Sequence, residues 1–333
     1  MTENRGVLIC GEIVEEHLTV VMAELVHTGL RLCDGLKKEL SLVLLEKNFQ
    51  TAADEAISLG VNKVYIIEGP RVAETFPDHT ANFIALLSRQ IDPSLILFGQ
   101  TDVGREIAPR VGAKLDTSVC LDCVALNIDV ETGSLLQTKP VYGGNAMAVW
   151  ASADHGPQIV SLRPRSAEPV NPDPSRKGEI IKVKVEREET DSKGRLLETV
   201  QEEVEGIKLE EANVIVAGGG GIGGKEGFQM IEELAQQLHG AVGISRVPCD
   251  ENWKPKSLEI GQTGHMVNPD LYIAIGISGA PQHMAGCSDS KFIVAVNKNP
   301  DAHIFKEADF GIVGDYREAL PFFIEKIKAL LGN

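Results

Sequence analysis

From residue 6 to residue 115, short apolar runs alternate with amphipathic stretches. The runs at 6–10, 42–45, 64–67 and 95–98 predict buried strands. Between them, helices are predicted over 17–40, 52–59, 82–89 and 104–115. The first rests on Leu18, Val21, Leu25, Leu32, Leu36 and Leu40, and the second is ended by Gly60. This alternation implies a parallel sheet with right-handed crossovers.

The rhythm then changes. Segments 119–128, 135–141, 146–151 and 159–162 read as antiparallel strands, with turn signals at Thr132-Gly133 and Gly143-Gly144. Pro164, Pro169, Pro172 and Pro174 mark an irregular stretch. Ile181, Val183 and Val185 alternate with charged residues, as in a half-exposed strand. Residues 191–211 are rich in Glu and read as a solvated acidic linker. A second α/β pattern starts at Ala212, with strands at 214–217, 241–244, 271–275, 292–296 and 310–313 and helices at 226–239 and 317–331. The predicted class is therefore α/β. An N-terminal parallel-sheet domain with an antiparallel extension covers 1–190, the linker 191–211, and a C-terminal Rossmann-like domain 212–333.

In an open α/β sheet, ligands bind outside the carboxyl ends of the strands. The glycine-rich and polar pieces of the second half fall at those ends. Gly219-x-Gly221-x-x-Gly224 follows the first strand and precedes a helix, the setting of a phosphate-binding turn; Gly220 lies inside it. An isolated glycine turn without a ligand satisfies the same pattern. Where a Rossmann NAD site carries an acid after its second strand, this chain has Ser245 and Arg246. That arginine suits an NADP 2′-phosphate, a flavin ring, or plain solvent. Ile260-Gly261-Gln262-Thr263-Gly264 offers an amide and a hydroxyl between glycines, as a flavin edge requires and as a polar turn also does. Ser278-Gly279-Ala280-Pro281-Gln282-His283 would bring backbone close to a ligand, with His283 toward its reactive end. Asn297 and Asp315 are candidate adenosine partners and equally good turn residues.

Charge and composition narrow the classes. The formal net charge is -16, and no basic patch stands ready to displace counterions, so nucleic acid is not an expected partner. No apolar run approaches the ~20 residues of a membrane span. The N-terminus lacks a basic-then-apolar leader pattern, so a cytoplasmic location is expected. Six cysteines are scattered, and Cys120-Leu-Asp-Cys123 stands without a second pair; reduced thiols on a strand are expected. No P-loop, HExxH or nucleophile elbow appears, and no metal site or catalytic residue is expected.

Taken together, several motifs resemble the alpha subunit of electron-transfer flavoprotein. They are Thr101-Asp-Val-Gly-Arg-Glu-Ile-Ala-Pro-Arg110, Arg163-Pro-Arg165, Val242-Gly-Ile-Ser-Arg246, Gly261-Gln-Thr-Gly264, Ile275-Gly-Ile-Ser-Gly-Ala280, Gln282-His283, Val296-Asn-Lys298 and Phe310-Gly-Ile-Val-Gly-Asp315. The resemblance covers essentially the whole chain. It implies FAD in the C-terminal half and a beta subunit, holding a second nucleotide, against the N-terminal half. It further implies an electron carrier rather than an enzyme, served by a flavin dehydrogenase such as an acyl-CoA dehydrogenase, or by NADH through the beta subunit. Carried over by residue, Gln262 and Thr263 would address the N5–O4 edge of the flavin, and His283 the N1–C2 edge. Arg246 would lie near the ring, Ser245 near the phosphates, and residues 278–282 around the phosphates and ribityl chain. Asn297 and Asp315 would hold the adenosine. Where that family usually has Gly-Gly-Arg-Gly, this chain has glycine at 220, which removes one cation from the turn. Two readings compete: an NADP-dependent oxidoreductase built on the glycine turn and Arg246, and a cofactor-free assembly subunit.

Overall fold

The computed structural model describes residues 6–45, 49–68, 76–129, 131–142, 144, 146–152, 156–184 and 207–331. The chain forms two compact units, each with its own sheet and cores.

The first unit is built on a seven-stranded sheet. Its spatial order is Glu179–Lys184, Lys63–Glu68, Leu40–Leu44, Val7–Cys10, Leu95–Gly99, Gln158–Leu162, Val119–Cys123. Every neighbouring pair is parallel. Side chains alternate across the sheet, so each strand feeds two cores. Ile9, Leu42, Val64 and Leu97 pack with Met22, Leu25 and Ala53 from the Val20–Leu36 and Gln50–Leu59 helices. Leu8, Val43, Ile96 and Phe98 pack with Ile84, Leu87 and Ala108 from Pro77–Ile91 and Asp102–Leu115. Central strands buried on both faces need continuous apolar runs, which is why these were legible.

Two expectations are corrected here. Residues 159–162 and 119–123 are not antiparallel: Gln158–Leu162 runs parallel to Leu95–Gly99 and to Val119–Cys123 at the sheet edge. The antiparallel extension is smaller, a three-stranded sheet of Ala125–Ile128, Leu135–Val141 and Ala146–Ala151, with the first two antiparallel. The helix predicted to run to residue 40 ends at Leu36. Lys37 then turns left-handed (φ 54°), and Leu40 opens the next strand. Val185, Gly143 and residues 191–206 lie outside the described residues. The rest of the expected linker is not solvated throughout, because Leu209 is buried in the core of the second unit.

The second unit has five parallel strands in the order Ala241–Ile244, Val214–Gly218, Leu271–Ile275, Phe292–Asn297, Phe310–Val313. Numbered along this unit the order is 2-1-3-4-5, a doubly wound arrangement with its switch point between the first and third strands. Phe228, Ile231 and Leu234 of Phe228–Gln237 and Leu320 and Ile324 of Tyr316–Leu331 cover one face. Met284, Ala302 and Ile304 lie in the core on the other. Short helices at Arg246–Asp250, Pro281–Met284 and Ile304–Glu307 are too brief to leave a periodic signal. Among the described residues, no helix is long and apolar enough to cross a membrane.

Candidate functional site

All five strands of the second unit end at one edge, and the sequence-predicted residues stand there. Gly218-Gly219-Gly220 leaves the first strand, Ser245 the second, Gly276 the third, while Asn297 closes the fourth and Asp315 lies two residues past the fifth. The glycine turn crosses the switch point. Gly219 N donates to Ile275 O (2.9 Å) and Gly221 N to Gly276 O (2.9 Å). A Cβ on Gly219 would stand 2.3 Å from Gly276 O, so only glycine lets these backbones approach. The turn thus has an inner face locked to the third strand. Its outer face, at Gly220, Gly223 and Gly224, carries no side chain, and a Cβ on Gly224 would meet nothing within 4 Å. Bare backbone at a strand-to-helix turn is what a dinucleotide phosphate requires, so the residues fit such a cofactor.

Ser245 N donates to Gly218 O (3.0 Å), fixing the second strand end beside the turn. Arg246 projects into solvent, 71% exposed, and pairs only loosely with Asp250 (3.2 Å). Such a pair contributes little, so the guanidinium is available to an anionic ligand. The Ile260–Gly264 segment folds back on itself through Gly264 N to Gly261 O (3.1 Å). It is tied to the 281–284 helix through Gln262 N to Gln282 O (2.8 Å). Ser278, Ala280, Pro281, Gln262 and Gln282 are exposed along this rim. Gly279 is left-handed (φ 80°), and a Cβ there would lie 2.2 Å from Ile304 N.

Two of the predicted side chains are held by partners within the protein. Thr263 donates its hydroxyl to Glu259 Oε1 (2.7 Å), a residue only 4% exposed. While it does so it can accept from a ligand but cannot donate. His283 is buried, and both ring nitrogens have protein partners: Ile260 O at Nδ1 (2.9 Å) and the Tyr272 hydroxyl at Nε2 (2.9 Å). Burial pushes its pKa down to about 4, so the ring is neutral. A carbonyl only accepts, so Nδ1 carries the proton and Nε2 accepts from Tyr272. In this arrangement His283 supplies no charge, and both ring nitrogens are engaged by the protein. It braces the Ile260–Gly264 loop instead. Asn297 donates to Ile277 O (2.8 Å) and accepts from Asn299 N (3.0 Å), while Asp315 accepts from Arg317 N (2.9 Å) and pairs with Lys298 (2.8 Å). Both shape their turns as well as facing the edge. Sequence reasoning missed Glu259 and Tyr272, because a buried acid and a strand tyrosine look like surface and core until their partners are known.

The first unit has a switch point too, between Val7–Cys10 and Leu95–Gly99, and a cavity of about 440 Å³ opens there. Its lining includes Glu12, Glu106, Thr19, Ile84 and Phe98. Thr101 accepts from Gly104 N (2.9 Å) at the start of the Asp102–Leu115 helix and donates to Glu12 Oε1 (2.7 Å). The Glu12 carboxyl therefore stands at the helix start where a phosphate binds in related architectures. Burial raises its pKa to about 7, with Asp102 adding to the effect and the Thr101 hydrogen bond opposing it.

A doubly wound unit with a bare glycine turn, an exposed arginine and a braced polar loop at one strand edge has the build of a dinucleotide-binding domain. Residues 208–288 match the electron transfer flavoprotein FAD-binding domain, and residues 7–188 match the electron transfer flavoprotein domain. The chain is 41% identical over 330 residues to the electron transfer flavoprotein subunit alpha of Thermoanaerobacterium thermosaccharolyticum, covering 99% of this chain and all of that one. It is 40% identical to the Bacillus subtilis subunit alpha, with 98% of each covered. It is also 33% identical to the lactate dehydrogenase (NAD(+),ferredoxin) subunit LctC of Acetobacterium woodii, over 99% of this chain and 78% of that protein. The chain belongs to the electron-transfer flavoprotein alpha-subunit family. Its cofactor is FAD.

Proposed function

We propose that this chain pairs with a beta subunit and carries electrons on FAD. The donor is a flavin dehydrogenase, such as an acyl-CoA dehydrogenase, or NADH acting through the beta subunit, and a downstream acceptor receives them. On this reading the chain is a carrier and not itself an enzyme. The observation that carries the reading is the gathering of the glycine turn, Ser245–Arg246, Gly261–Thr263 and the 278–283 segment on one strand edge, in the unit that matches an FAD-binding domain. FAD, when bound, supplies the one- and two-electron chemistry. The chain's own residues bind and bias it. The glycine turn and residues 278–282 receive the phosphates, Ser245 the pyrophosphate side, and Asn297 and Asp315 the adenosine. Arg246 places positive charge near the ring. Gln262 addresses a ring edge from an exposed position, and Thr263 faces the same edge as an acceptor while Glu259 holds its proton. His283 and Tyr272 hold the loop that carries them.

The similarity to a subunit of an NAD- and ferredoxin-linked lactate dehydrogenase favours a second reading, in which the complex splits an electron pair between two acceptors. Co-expression with the beta subunit, followed by extraction of bound nucleotides, tests both. One FAD in this chain is expected in either case, and a second FAD in the beta subunit marks the splitting type. Purified NADP without flavin would overturn the proposal in favour of the dehydrogenase alternative. A well-folded, FAD-loaded monomer that ignores the beta subunit in light scattering would defeat the pairing.

A further inference from the structure

Cys120 and Cys123 are expected from the sequence to be reduced thiols on a strand, and the structure brings these free thiols together. In a regular strand, residues three apart are ~10 Å apart and on opposite faces. Here the Val119–Cys123 strand is irregular. Its register with Gln158–Leu162 shifts between Val160 and Leu162, and Asp122 turns left-handed (φ 64°). The two sulfurs stand 3.5 Å apart, with the Cys123 thiol directed at Cys120 Sγ. The irregularity is fastened on both sides. Asp122 N donates to Ser161 Oγ (2.9 Å), and its carboxylate takes a two-point grip from Arg163, Nε to Oδ1 at 2.9 Å and Nη2 to Oδ2 at 2.8 Å. Arg163 and Asp122 side chains are only 9% and 18% exposed. Cys120 is half-buried and Cys123 fully buried. This asymmetry is that of an attacking thiol with a resolving thiol behind it.

We propose that Cys120 and Cys123 form a redox-active dithiol that closes to an intrachain disulfide by exchange with a small-molecule disulfide. The sulfurs must approach by ~1.5 Å to reach bonding distance, a local adjustment of an already bent strand. In the first step the Cys120 thiolate attacks one sulfur of the oxidant R–S–S–R. A Cys120–S–S–R bond forms, the oxidant's S–S bond breaks, and the leaving thiolate takes a proton from water. In the second step Cys123 gives its proton to solvent and attacks Cys120 Sγ, releasing the second RSH. Two protein thiols are oxidised and one disulfide is reduced to two thiols. The electrostatics favour this order. The hydrogen bond from Cys123 and the charge of Lys139 on the neighbouring Leu135–Val141 strand lower the Cys120 pKa to about 7, against burial and the Asp122 charge, whereas Cys123 is raised. Cys10, Cys33, Cys249 and Cys287 are all raised, so they remain protonated spectators.

The test uses the full-length, FAD-loaded protein incubated with oxidised glutathione, then denatured, alkylated and mapped by mass. The expected result is loss of two alkylatable thiols, a peptide two hydrogens lighter that links 120 to 123, and full reversal by a dithiol reductant. Cys123→Ser should instead trap glutathione on Cys120, and Cys123→Ala, which donates no hydrogen bond, should move upward the pH at which Cys120 becomes alkylated. Six alkylatable thiols after prolonged exposure to excess oxidant would overturn the proposal, as would modification at Cys249 with Cys120 untouched. Mapping of the unsubstituted protein decides the matter even if the serine variant does not fold.

Discussion

The neutral, doubly bonded state of His283 makes a sharp prediction about acid. An exposed histidine titrates near 6.5, whereas burial takes His283 down to about 4. Its folded-state pKa is depressed, so its contribution to stability is complete above pH 6.5. It is lost progressively as pH falls toward 4, because only the unfolded chain then takes up the proton. The interval corresponds to ~3 kcal/mol, a factor of ~100 or more in the unfolding equilibrium of the second unit. Carboxylates also titrate in this range, so the measurement must be differential. His283→Gln keeps a donor for Ile260 O and an acceptor for Tyr272 but cannot titrate. With Trp150 replaced by phenylalanine, Trp253 is the remaining tryptophan and reports the second unit in urea unfolding. The FAD-free protein should lose ~2.4 kcal/mol more than its His283→Gln counterpart between pH 7 and pH 4.5. His283→Leu, which strands both partners, should cost ~2–6 kcal/mol at pH 7. Parallel pH profiles for the histidine and glutamine proteins would show that His283 is not held neutral against Tyr272, and the positioning role would fall.

Other predictions follow from the same geometry. Gly219→Ala should abolish FAD retention, since its Cβ would lie 2.3 Å from Gly276 O, whereas Gly220→Ala, 3.1 Å from a Val247 methyl, should retain FAD on gel filtration. Arg246→Ala should lower the first flavin reduction potential by tens of millivolts, at ~59 mV for each ~1.4 kcal/mol of lost charge stabilisation, and Gly220→Arg should raise it; Thr263→Ala should act more weakly, and unchanged potentials in spectroelectrochemical titration would place Arg246 away from the ring. Glu12 has a raised pKa, so stability present below pH 4.5 is lost as pH rises through about 7. Glu12→Gln should therefore unfold at higher denaturant than the unsubstituted protein at pH 8, by up to ~3 kcal/mol, and show little difference at pH 4.5.

Much of this was legible in the chain itself. Strands buried on both faces are unbroken apolar runs, and the five strand-end motifs of the second unit kept their order and spacing. What misled was local. Residues 119–128 and 159–162 carry the marks of antiparallel strands because their runs are short and turn signals separate the segments between them, although 159–162 is buried on both faces. Parallel pairing there depends on contacts far apart in sequence, which no local pattern records. His283 was read as a group facing the cofactor. The structure adds its bond to Tyr272, eleven residues away and invisible to any motif. The Cys120–Cys123 pair reads as plain thiols because no second pair accompanies it, and nothing in the sequence announces the bend at Asp122.

Glu12 has a consequence for stoichiometry. Both units of this chain wind their strands so that a crevice opens at a switch point, and by topology alone each could take a dinucleotide. In the first, a carboxyl group tethered through Thr101 already stands at the helix start, with Glu106 and Asp102 close by. A polyanion arriving there meets negative charge that grows as Glu12 ionises above neutrality. Charge, more than shape, thus disfavours a dinucleotide in the crevice of the first unit.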